Sequence, residues 1–184
     1  MNAAQHELAT FMHPEGATRW RRSAMEIRPD YHCFTWGELL GTGIDSVRLR
    51  NAMSRGQIEI GLQRRSTLRF FSLREMFVVE ILRQLYALMI PFSQAADIAM
   101  KAGRKLENVR EFVAKDRGTD YALIIRRDQN GPLIEYQRVD DRRTPGTIPC
   151  PADTFIRVSL TAACAKAEGI AQAASVALGE KAYA

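Results

Sequence analysis

Between residues 44 and 74 the chain carries Arg48, Arg50, Arg55, Arg64, Arg65, Arg69 and Arg74 against only Asp45 and Glu59. The formal charge of the whole chain is +5, so this stretch holds the entire excess. Guanidinium groups at that density attract a polyanion by releasing its counterions. A solvated basic face would give the same count, so charge alone leaves both readings open. Spacing adds more. On a helix, Arg48, Asn51 and Arg55 stand three and four residues apart and share a face, with Ser46 and Arg50 on neighbouring faces. Arginine can grip guanine O6 and N7 with two prongs, and asparagine can pair with adenine. Arg64, Arg65 and Arg69 suit phosphates or a narrow minor groove.

These residues need elements to hold them. Residues 34–43 read as a short helix, with Thr35 as N-cap and Glu38 three residues on, the capping-box pattern. Gly41 and Gly43 stop it. Asp45 or Ser46 caps a second helix that carries Val47, Leu49 and Met53 and ends at Gly56. Two short helices around a tight glycine turn make a helix-turn-helix pattern. Ile58, Ile60 and Leu62 alternate with polar residues, and Leu68 and Phe70 repeat the alternation after the polar turn 63–67. That predicts a two-stranded hairpin with an arginine tip. Ser72 and Glu75 cap a long helix, broken by Pro91, whose apolar residues cover nearly its whole surface. Such a helix is buried or shared with a partner chain. Ser93 is expected to open a further helix towards Gly103, resuming over 106–114.

The composition shifts near 115–120. Residues 121–127 predict a strand, Asp128-Gln129-Asn130-Gly131 a turn, 132–139 a second strand and 155–160 a third. Leu123, Ile125, Leu133 and Ile134 are its expected inward residues. An alanine-rich helix follows from Thr161 to about Leu178. Residues 1–32 read as a flexible basic arm, with a short helix near Arg19–Met25. The expected fold class is α+β. It comprises a mainly helical domain with a β-hairpin at 33–114 and a hairpin, strand and helix region at 115–184.

The 184 residues suffice for one domain or two small ones sharing a core. With 46% hydrophobic and 26% charged residues the composition is that of an ordinary globular chain. No run approaches the roughly 18 apolar residues that a membrane-crossing helix needs. The first residues lack a secretory layout. Cys33, Cys150 and Cys164 form no disulfide framework, so a reducing cytoplasm is the expected compartment. His6, His13 and His32 offer no zinc-ligand spacing; His32-Cys33 are adjacent and do not converge easily on one ion. There is no glycine-rich phosphate loop, G-x-S-x-G or H-E-x-x-H, and Asp128, Asp140 and Asp141 sit in turn sequences. No catalytic group, cofactor or metal is expected.

Over about residues 34–100 the succession of segments resembles the winged-helix domain of the MerR family of transcription regulators. The pieces are Phe34-Thr35-Trp36-Gly37-Glu38-Leu39-Leu40, the turn Gly43-Ile44, then Leu49-Arg50-Asn51-Ala52 with Gly56-Gln57-Ile58. Leu68-Arg69-Phe70-Phe71-Ser72 and Pro91-Phe92-Ser93-Gln94-Ala95-Ala96-Asp97-Ile98 follow. Two departures stand out. Asn51-Ala52 replaces an aromatic pair, and a β-rich tail replaces the long antiparallel dimerisation helix. The resemblance implies a sequence-specific regulator of double-stranded DNA, with a recognition helix in the major groove and an arginine-rich wing on the backbone or minor groove. The candidate DNA contacts are Thr35, Ser46, Arg48, Arg50, Asn51, Arg55, Arg64, Arg65 and Arg69. Paired half-sites imply a homodimer, formed by the tail and the 73–89 helix, unless the tail completes a monomer core. A small-molecule effector is left open. The rival expectations are an excisionase-like or phage-type architectural DNA-binding protein and an antitoxin-like protein-interaction module.

Overall fold

Capping side chains decide where the first helices start. The computed structural model describes residues 28–63, 68–115, 119–128, 131–140 and 155–181. The expected helix near 19–25 therefore lies outside the described residues. Thr35 Oγ1 accepts the Glu38 amide at 3.5 Å, and the Glu38 carboxylate accepts the Thr35 amide at 2.5 Å. This box opens α1, Trp36–Leu40. Asp45 Oδ1 accepts the Val47 and Arg48 amides at 2.9 and 3.1 Å and opens α2, Ser46–Ser54. A second box, Ser72 with Glu75, opens α3, Leu73–Ala87. The next helix, α4 (Phe92–Gly103), departs from expectation. It starts after Pro91, without a side-chain cap, and Ser93 lies inside its first turn. Helix α5 is Leu106–Lys115.

The predicted hairpin is shorter than its apolar alternation suggests. Among the described residues only β1, Leu62–Gln63, and β2, Arg69–Phe70, pair there, antiparallel. Ile58 and Ile60 are buried, whereas Leu62 is 48% exposed. Gly61 lies between them at φ +79° and reverses the phase. An L-residue resists that backbone region because its Cβ crowds the following carbonyl. The freed Gly61 amide donates to Glu75 Oε1 at 2.7 Å, tying the base of the pair to the first turn of α3. Residues 64–67, and with them Arg64 and Arg65, lie outside the described residues.

Helix α3 is the centre of the core. Leu73, Met76, Phe77, Val79, Ile81, Leu82 and Leu85 are fully buried. One flank packs on α4 and another on α6, Leu160–Lys181. Along α6, Ala163, Cys164, Ala167, Ala171 and Ala174 form the buried stripe. Their small side chains let the helix axes approach. Burial pushes the Cys164 thiol up to about 12, so it behaves as a small hydrophobe. The apolar surface of residues 73–89, expected to be buried or shared with a partner chain, and much of the alanine surface are thus largely used inside this one.

The three remaining strands, β3 (Thr119–Asp128), β4 (Gly131–Asp140) and β5 (Phe155–Ser159), form an antiparallel sheet in the order β4-β3-β5. Leu123, Ile125 and Val158 are buried in the common core, and Ile134 packs beside them. Leu133 does not join them; it is 47% exposed. Adjacent residues of a strand face opposite sides, so only one of Leu133 and Ile134 can point inward. The fold is α+β, as expected. No helix among the described residues is long and apolar enough to cross a membrane.

Two local features carry predictions. Glu80, on α3, is 1% exposed and is held by Arg83 at 2.6 Å, Gln84 at 3.1 Å and Lys166 at 3.1 Å. Burial alone would raise its carboxyl, but hydrogen bonds from Arg83, Gln84 and Lys166 outweigh it. The group is held below its ordinary value of 4.5. The folded state therefore binds this proton more weakly than the unfolded state, and the stabilisation is present above the unfolded value and lost as pH falls. Urea unfolding is expected to find Glu80→Gln less stable than wild type at neutral pH, with the gap closing as pH drops below about 4.5. A gap that stays constant down to the acid limit would count against this account.

Helix α3 ends with the Met89 amide bonded to the Tyr86 carbonyl at 3.0 Å and the Ile90 amide to the Leu85 carbonyl at 3.3 Å. This is a Schellman stop, in which glycine is the usual left-handed residue. Here Met89 holds φ +64° and is 89% exposed. Met89→Gly is expected to stabilise the fold by about 1 kcal/mol and raise the thermal midpoint by about 2–4 °C in differential scanning calorimetry. A lowered midpoint would refute the strain argument.

Candidate nucleic-acid interface

The site is built on α2. Leu49 and Ala52 face the core, which turns Val47, Arg48, Arg50, Asn51 and Arg55 to solvent. Arg48 and Arg50 are two residues apart on a helix, about 200° around the axis, so they reach different neighbours. The Arg48 guanidinium lies 4.7 Å from the centroid of the Tyr86 ring, at the end of α3. Its Nε is 3.6 Å from Asp45. The Arg50 guanidinium lies 5.0 Å from the centroid of Trp36, which tilts against Phe71 at 5.7 Å. Each ring contributes about 0.5–1 kcal/mol at such exposed positions. Stacking of this kind restricts the rotamers of a long side chain while leaving the guanidinium edge able to donate.

Arg50 makes no ion pair with Glu38 of the neighbouring helix. The Glu38 carboxylate is occupied by the Thr35 amide and by the Thr35 hydroxyl at 2.9 Å. Thr35 itself is exposed, but its hydroxyl serves the cap. Ser46 is the first residue of α2 and is half-buried. Asn51 and Arg55 are exposed along the same side of the helix. Arg69, on β2, donates from Nη1 to the Ile60 carbonyl at 3.4 Å, and its stem crosses Gly61.

Thr35, Trp36, Arg50, Met53, Leu68, Arg69 and Phe70 are among the residues lining an open groove of about 580 Å³. It runs between the start of α1, the flank of α2 and β2. Two guanidinium groups border it, and aromatic and aliphatic side chains make most of its wall. The structure thus brings Thr35, Arg50 and Arg69 to one groove. Arg48 sits with Tyr86 on the other flank of α2.

Arg74 leaves the basic surface altogether. It donates to Asp30 at 2.6 Å and to the Gly103 carbonyl at 2.7 Å, and it pairs with Glu107. The hydrogen bond that Arg74 donates to Asp30 is the largest influence, and it raises the Arg74 pKa above its ordinary value. This arginine is a structural tie between α3, α4 and the segment before α1.

Sequence reasoning overlooked the supports. Trp36 was visible beside the cap, but Tyr86 is 38 residues from Arg48, with no pattern linking them. Glu75 is marked by the sequence as half of a capping box. It also accepts the Gly61 amide and lies 3.4 Å from His32 Nε2. Among the described residues no three His, Cys, Asp or Glu side chains converge as a metal site requires. No protein-family model matches the chain, and no curated protein is significantly similar to it.

Proposed function

We propose that this chain binds double-stranded DNA sequence-specifically as a transcription regulator of the MerR-like winged-helix type. The observation that carries the proposal is the pair of stacked arginines. Arg48 and Arg50 flank the solvent face of α2 on fixed aromatic platforms, beside a basic two-stranded element. In this reading α2 is the recognition helix in the major groove. Asn51 and Arg48 read base edges, Ser46 and Thr35 lie at its approach, and Arg50, Arg55 and Arg69 contact the backbone. Arg64 and Arg65, in the segment joining β1 to β2, serve phosphates or the minor groove. Two copies occupy paired half-sites as a homodimer, acting in the cytoplasm on the nucleoid. The reading requires no catalytic group and no cofactor.

Fluorescence anisotropy tests it, using a random duplex of roughly 30 base pairs and one from upstream of the protein's own gene. The upstream duplex is expected to bind more tightly. Arg48→Ala with Asn51→Ala is expected to reduce that preference by about tenfold or more, since each base-edge pair is worth about 1–3 kcal/mol. Equal affinity for both duplexes, with bending of the DNA, would favour an architectural protein instead. No binding at low salt would sink the proposal, and a stoichiometric co-purifying protein would then favour an interaction module.

A further inference from the structure

We infer that Lys166, on the C-terminal helix, is a positioning residue for the recognition helix, so that α6 sets the pose in which α2 meets DNA. The inference rests on the DNA-binding reading above. Lys166 Nζ donates to the Thr42 carbonyl at 2.6 Å and lies 3.1 Å from Glu80 Oε2. Thr42 lies in the turn 41–45 between α1 and α2 and is fully buried. Its hydroxyl donates to the Leu39 carbonyl at 2.9 Å. Its own carbonyl lies just past the end of α1, where no helical amide follows to serve it; the Lys166 ammonium serves it instead. One helical turn along α6, Ile170 closes on Gly41. Its methyl carbons lie 3.5 and 3.6 Å from where a side chain at position 41 would begin.

The turn is therefore held at two points by a helix more than 120 residues away in sequence. The base of the clamp is rigid, because Glu80 sits on the fully packed α3 and is also bound by Arg83 and Gln84. Helix α2 has few anchors of its own. Only Leu49 and Ala52 are buried within it, so its tilt depends on the turn that precedes it. A shift of α6 moves the Lys166 ammonium, and with it the Thr42 carbonyl and the start of α2.

The test compares Lys166→Met, Lys166→Arg and wild type by hydrogen exchange at the amides of residues 41–45. Anisotropy on the upstream and random duplexes across a salt series accompanies it. Lys166→Met is expected to speed exchange in the turn and weaken upstream-duplex binding by about tenfold. The dependence on salt should be unchanged, because a positioning residue neutralises no phosphate. Lys166→Arg is expected to restore both. Unaltered affinity would overturn the inference, as would unaltered exchange. So would a salt slope lowered by about one, which marks a direct phosphate contact. If circular dichroism shows Lys166→Met to be misfolded, Ile170→Ala trims the second contact, leaves the ion cluster, and should show the same changes at about threefold. If the wild type binds neither duplex, the functional reading falls first, and the exchange arm alone decides the clamp.

Discussion

Raising salt from about 50 to about 200 mM is expected to weaken duplex binding by roughly 150- to 2,000-fold for each protomer engaged. The number follows from the arginines that remain available. Arg74 is spent on Asp30, Glu107 and the Gly103 carbonyl, which leaves Arg48, Arg50, Arg55, Arg64, Arg65 and Arg69. If four to six of these meet phosphate, log affinity falls with log salt at about −0.9 per contact, or roughly −4 to −5 per protomer. Arg64→Ala with Arg65→Ala should flatten that slope by nearly two. Arg74→Ala should leave the slope intact and lower stability instead. A wild-type slope shallower than about −1 would show that the arginine face does not meet phosphate.

The second large effect is on the fold. Gly61→Ala is expected to cost about 3 kcal/mol in urea unfolding, against about 1 kcal/mol for Gly56→Ala. Both glycines have positive φ, +79° and +66°, so both pay backbone strain. Space separates them. A Cβ at 56 meets nothing within 4 Å, whereas one at 61 falls 2.6 Å from the Arg69 stem and 2.7 Å from Phe71 Cε1. The Arg69 stem can swing aside. Phe71 cannot, because it is fully buried and its backbone pairs with Phe34. The variant should also displace β2 and Arg69, so its DNA affinity should fall with its stability. Equal costs at 56 and 61 would mean that the overlap relaxes freely.

Local chemistry was the legible part. Thr35–Glu38 and Ser72–Glu75 are capping boxes that close within four residues, and Asp45 caps in the same way, so these helix starts needed no distant partner. The strands of the tail were equally visible, because β-branched runs around Asn-Gly mark a hairpin. What misled was pattern without backbone. Ile58, Ile60 and Leu62 alternate as one strand would, but a left-handed glycine interrupts them. Leu133 and Ile134 are both apolar, and only register decides which turns inward.

The sequence by itself determined which helices form, where the basic charge concentrates and which face of α2 carries it, because capping, spacing and composition act over a few residues. Only the tertiary structure decided what those groups do to one another. It stacked Arg48 on Tyr86 and Arg50 on Trp36, and withdrew Arg74 into ion pairs. It consumed the apolar surface of α3 within the chain and set Lys166 against the Thr42 carbonyl. The Arg48–Tyr86, Arg74 and Lys166–Thr42 contacts join residues at least 29 apart, and no one-dimensional spacing encodes an approach that only packing around a shared core creates.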